Sequence, residues 1–77
     1  MRREVESLVN FIIGSKTYYT QERILIGLHS VNCSLYQNNT NSLTFLDNET
    51  MGCFTLGVEK KITKEGNLYK VKYCKVG

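Results

Sequence analysis

The apolar residues of this chain change period partway along, and that change restricts it to folds that lay a helix on a sheet. Val5, Leu8, Val9 and Ile12 are spaced i, i+3, i+4, i+7, which gathers them on one side of a helix. Glu4 and Glu6 fall in the first turn, where negative charge suits the helix dipole, so a helix is expected over residues 3 to 13. Gly14 followed by Ser15 is expected to end it, the glycine taking a left-handed backbone. From residue 42 the period is two. Leu43 and Phe45 alternate with Thr44, and Phe54, Leu56 and Val58 alternate with Thr55, Gly57 and Glu59, the mark of half-buried strands.

The last strand runs from Leu68 to Val76, with Tyr69, Val71 and Tyr73 on one side and Lys70, Lys72 and Cys74 on the other. Glu65-Gly66 supplies a turn. A two-residue loop there sets Ile62 against Tyr69, Lys60 against Val71 and Val58 against Tyr73, which keeps apolar residues on one face. Lys61, Lys70 and Lys72 then share the outer face with Glu59, and Lys64 sits beside the turn. An outward lysine stripe of this kind keeps an open strand edge from pairing with other chains, and it also fits contact with phosphate.

Residues 17 to 42 admit two readings. In the first, Val31, Cys33 and Leu35 are the inner face of another strand, which turns through Asn38-Asn39-Thr40-Asn41 into the strand beginning at Ser42. The fold is then α+β: an N-terminal helix packed on a three- to four-stranded antiparallel β-meander, with room for a second short helix near residues 20–29. In the second, Thr20 caps a helix whose apolar stripe is Ile24, Leu25 and Leu28, and another helix follows around Ser34 to Leu46. So arranged, the chain resembles a winged-helix domain in size and element order, with residues 55–75 as the wing. That resemblance implies a nucleic-acid-binding regulator with Gln37, Asn38, Asn39 and Asn41 near the groove and Lys60, Lys61 and Lys64 on phosphate.

At 77 residues the chain is expected to form one domain over 1–77. Folding at this size hides only about 60 to 65 per cent of the surface the open chain exposes, so most apolar side chains must serve the core. The net charge of +3 is uneven: residues 57 to 77 carry six lysines against Glu59 and Glu65. That asymmetry points to an anionic partner. No apolar run approaches the length of a membrane span, and with Cys33, Cys53 and Cys74 leaving an odd thiol, a reduced, cytoplasmic chain is expected.

Chemistry-bearing residues are sparse. His29 and Asp47 are the single histidine and aspartate, and neither stands in a nucleophile or phosphate-loop motif. The cysteines form no Cys-x-x-Cys pair, so neither a metal nor a cofactor is expected. A nucleic-acid stacking platform is disfavoured because Tyr69 and Tyr73 alternate away from Lys70 and Lys72. The expectation is a non-enzymatic interaction or regulatory protein that binds and modulates or inhibits a larger macromolecule. The partner is expected to be a protein, with weak, salt-sensitive nucleic-acid binding as the alternative and no membrane. Lys60, Lys61, Lys64, Lys70, Lys72 and Tyr36 are the candidate binding residues. Few arginines among many Asn and Lys is also the compositional character of AT-rich viral or mobile-element genomes.

Overall fold

The amphipathic spacing of the first residues gives helix α1, Arg3–Ser15, which buries Val5, Val9 and Ile12. A computed structural model describes residues 1–77, the side chain of Asn38 excepted. The helix runs through Gly14, and it is Lys16, with φ 56°, that takes the left-handed cap position expected of the glycine. Ser15 explains part of the extension. Its hydroxyl donates to the Ile12 carbonyl at 2.9 Å and lies 2.9 Å from the Tyr19 hydroxyl, so the last turn is tied down beyond Gly14.

Strand β1, Tyr19–Thr20, leads directly into helix α2, Gln21–Ser30. The Thr20 hydroxyl accepts from the Arg23 amide at 3.1 Å and so caps α2, which buries Ile24 and Leu28. The rest is sheet: β2 (Cys33–Asn39), β3 (Ser42–Asp47), β4 (Cys53–Thr63) and β5 (Gly66–Val76). All pairings are antiparallel, in the order β1-β5-β4-β3-β2. The sheet thus has five strands rather than three or four, because a two-residue strand is too short to show any period. The helix expected around Ser34 to Leu46 in the winged-helix reading is instead the hairpin β2–β3, and its Asn39 and Ser42 pair across the turn at Thr40-Asn41. Asn38 was one of the groove residues of that reading, and its side chain lies outside the described residues.

Both helices cover the same face of the sheet. Their Val5, Ile24 and Leu28 meet Leu43, Phe45 and Leu56 in one apolar cluster, with Tyr69 and Val71 of β5 also inside it. Phe45 and Phe54 are cross-strand partners whose rings stack with centroids 5.2 Å apart. No helix is long and apolar enough to cross a membrane.

Two details of register depart from the alternation rule. First, the β4–β5 turn lies one residue earlier than expected: Thr63 pairs with Gly66, leaving Lys64-Glu65 as the loop, and Gly66 takes φ 130°. Lys60 therefore faces Tyr69, Val58 faces Val71 and Ile62 faces Asn67. The resulting two-residue slide leaves every side chain on its expected face, so alternation had no means of excluding it. Second, β5 carries a bulge. Val71 pairs with Val58 and Tyr73 with Gly57, so Lys72 is the extra residue. Past the bulge the faces exchange: Tyr73 turns outward, 49 % exposed, and Cys74 turns in against the core.

One polar contact locks the layers together. The Arg2 guanidinium, just ahead of α1, donates from Nε to both carboxylate oxygens of Asp47 at 3.0 Å and from Nη2 to the Val31 carbonyl. Nη1 lies 3.0 Å from Glu49. Asp47 is fully buried at the end of β3 and also accepts the Glu49 amide at 3.0 Å. The guanidinium, chiefly by its hydrogen bonds, holds the Asp47 carboxyl at about 2, below its ordinary 3.8.

Arg2→Ala leaves that carboxylate without its cation and is expected to lower the urea unfolding midpoint clearly, whereas the exposed Arg3→Ala is expected to leave it near wild type. Since the folded carboxyl titrates lower than the unfolded one, its contribution is fully present above pH 3.8 and is lost as the pH falls toward 2. An acid-unfolding curve of wild type against Asp47→Asn reads this directly. Lys16→Gly relieves the left-handed strain at the end of α1 and is expected to stabilise the fold by about 0.5–1 kcal/mol, a rise of several degrees in thermal midpoint.

Candidate functional site

With both helices on one side, the other face of the sheet has no layer over it. Strict alternation along β4 sends Glu59 and Lys61 to this open face, where their partners on β5 are Lys70 and Leu68. Tyr18, just before β1, closes over them. Its hydroxyl donates to the Glu59 carboxylate, and the ammonium groups of Lys61 and Lys70 each lie 5.5 Å from its ring centroid. Lys72 approaches the same carboxylate, Nζ to Oε1 3.7 Å. The Tyr18 bond is the main reason the Glu59 carboxyl is held below its ordinary value, and the carboxylate in turn pushes the Tyr18 hydroxyl up.

The bulge supplies the second part of the face. Tyr73 lies flat across Gly57 of β4, so closely that a Cβ on Gly57 would fall 2.2 Å from two ring atoms. A glycine inside a strand leaves its backbone open, and the ring covers it. Lys75, next on the same face, holds its Nζ 5.5 Å from the Tyr73 centroid. At the far side, Tyr36 is the extra residue of another bulge, between Leu35 and Gln37 on β2, and is 54 % exposed. Its hydroxyl reaches across β3 to lie 3.1 Å from the Cys53 sulfur. The cross-strand partners Thr44 and Thr55 occupy the row between.

The candidate residues are thus divided. Lys61, Lys70 and Lys72 gather around Tyr18 and Glu59. Lys60 lies opposite Tyr69 on the helix side of the sheet, and Lys64 is in the β4–β5 loop, so neither belongs to the cluster. Tyr36 shares the open face but stands at its opposite side. Lys72 sits on a bulge of β5, beyond the short cover that β1 gives at Tyr69 and Leu68. Both a bulge and a lysine discourage pairing by a foreign strand, so this lysine has an edge-guarding role whatever the face binds.

Tyr73 and Lys75 are members of the face that sequence reasoning did not place there, and Tyr18, which the alternation left free, joins them. The reason given against a stacking platform, that Tyr73 points away from the lysines, fails at the bulge. The available signal was Gly57, since an isolated glycine in a strand marks a bulge or a close approach.

His29 is exposed in the last turn of α2, while the Asp47 carboxylate is taken up by Arg2. Cys33 is buried and Cys74 points inward, contrary to the outward position expected of it, and burial pushes both thiols up. Among the described residues no three His, Cys, Asp or Glu side chains gather as they would about a metal ion. On the helix side, α1 and α2 leave an apolar groove of about 360 Å³, bordered by Leu8, Phe11, Ile26 and Gly27, with Arg23 also in its lining. Phe11 is 67 % exposed there and Ile26 54 %.

No family model matches the chain, and comparison with curated proteins and with solved structures finds no significant similarity.

Proposed function

We propose that this chain is a non-enzymatic interaction module that binds a larger anionic macromolecule on the open face of its sheet and thereby regulates or blocks it. The observation that carries this reading is the composition of that face. Lys61, Lys70, Lys72 and Lys75 share it with exposed aromatic rings, and its one strand carboxylate among the described residues, Glu59, is already engaged by Tyr18 and Lys72. An anionic surface arriving there meets four ammonium groups against one carboxylate. The non-enzymatic part rests on the engagement of Asp47 by Arg2 and on the exposed, isolated setting of His29. A protein partner has a second surface open to it. The groove between the helices, with Phe11 and Ile26 exposed and Arg23 in its lining, fits an apolar helix carrying an acidic residue.

Retention on immobilised heparin separates the sheet face from net charge alone. Lys61→Gln with Lys70→Gln is expected to elute at clearly lower salt than wild type, since about half of the four facing cations are gone. Arg3→Gln with Arg23→Gln removes the same charge from the helix side and is expected to elute near wild type. Equal losses in the two variants would count against the sheet face as the binding surface.

A further inference from the structure

We infer that the anionic macromolecule is a single-stranded nucleic acid, with bases stacked on Tyr73 and Tyr36 and phosphates held by Lys61, Lys70 and Lys75. This rests on the open sheet face being the binding surface, and it names the ligand class.

The rings carry the inference. Tyr73 is pressed flat on the sheet over Gly57 and offers its other side outward, 49 % exposed. A ring already immobilised by its own backbone loses little freedom when a base stacks on it, and every base has a face to offer. Lys75 holds its Nζ over that outward side, 5.5 Å from the centroid, so a stacking base displaces the ammonium toward its own phosphate. Tyr36 is the other exposed ring on the face. Gln37 beside it pairs with Thr44, Thr44 with Thr55, and Thr55 with Lys75, so the strands that carry the two tyrosines are three spacings of about 4.8 Å apart, and both rings lean inward from them, Tyr73 over Gly57 and Tyr36 across β3 to Cys53.

Thr44 and Thr55, with partly buried side chains, floor the space between them. Bases that have left a duplex reach such rings, whereas bases paired inside one do not. Lys61, Lys70 and Lys75 set register on the sugar-phosphate chain without reading sequence. The reading helix that would have entered a duplex groove, expected around residues 34 to 46, is instead the hairpin β2–β3 within the sheet.

The test is fluorescence anisotropy of a labelled oligothymidylate of about 12 nucleotides at 50 mM salt, beside a duplex of the same length. The single strand is expected to bind more tightly, with log affinity falling against log salt at a slope near −2 to −3 for three or four phosphate contacts. Tyr36→Leu and Tyr73→Leu are each expected to weaken binding about 5- to 100-fold, while Tyr36→Phe and Tyr73→Phe keep it. Should Tyr73→Leu lose its fold by uncovering Gly57, Tyr36→Leu carries the test, since that ring is 54 % exposed and covers no glycine.

Equal or tighter binding of the duplex, or leucine variants that bind like wild type, overturns the inference. So does the absence of oligothymidylate binding. If that absence comes with heparin retention that still depends on Lys61 and Lys70, the ligand is another anionic macromolecule, such as an acidic protein, and the broader reading of the face survives. If retention is indifferent to those lysines as well, both fall.

Discussion

The architecture hinges on a single buried ion pair. Arg2 and Asp47 are 45 residues apart, and their contact fastens the start of α1 to the end of β3 and, through the Val31 carbonyl, to the segment between α2 and β2. A carboxylate with no exposed surface is tolerable only because each of its oxygens is bonded. The same aspartate organises the β3–β4 turn, its backbone accepting from the Met51 amide and donating to the Gly52 carbonyl. Small cores have little apolar area with which to fix the angle of a helix on a sheet. Here a directional polar contact at one end of α1 does so, with Val5, Val9 and Ile12 setting the depth.

That fixed angle gives the sheet its two unlike faces. The helices take Leu43, Phe45, Leu56, Val58, Tyr69 and Val71, and the remainder of each strand is left to solvent. The uncovered side is not a plain solvated surface. Two bulges have rotated a tyrosine onto it from each flank, and Tyr18 has been drawn over from the α1–β1 connection to donate to Glu59, which keeps that carboxylate ionised. The lysines there serve more than one end. Lys72 guards the part of β5 that β1 leaves unpaired, while Lys61 and Lys70 are held over an aromatic ring.

What was legible in the sequence is what local periodicity controls. Val5 to Ile12 announced α1, Thr20 announced the α2 cap, and Leu43, Phe45, Phe54, Leu56 and Val58 announced the inner face of β3 and β4. The Asn-Thr-Asn tract marked the β2–β3 turn. Illegible were the features whose cause lies far away in the chain. The Arg2–Asp47 pair has no local signature, and β1 is defined only by its partner β5. Bulges break period two, and the one hint of this bulge, Gly57, stands on the partner strand, so Tyr73 and Cys74 were assigned to each other's faces. The slide at Lys64-Glu65 was invisible for the opposite reason, since it changes partners without changing faces.

Beyond Ser42, where β3 stops pairing, β4 has β5 alone beside it, and past Leu68 and Tyr69, the two residues of β5 that β1 covers, the pair continues to its turn as a two-stranded tip. Glu59 to Thr63 have a hydrogen-bonded neighbour on one side only, and Ile62 near the tip is 79 % exposed. Isolated ribbons of this kind are barely stable by themselves. Amide protons at the tip therefore have an escape route by local fraying that those of Phe45 and Leu56 lack, and deuterium uptake along β4 becomes a gradient from a quick end to a slow one. The loop at its extremity is for the same reason the place in this chain where extra residues would be least felt.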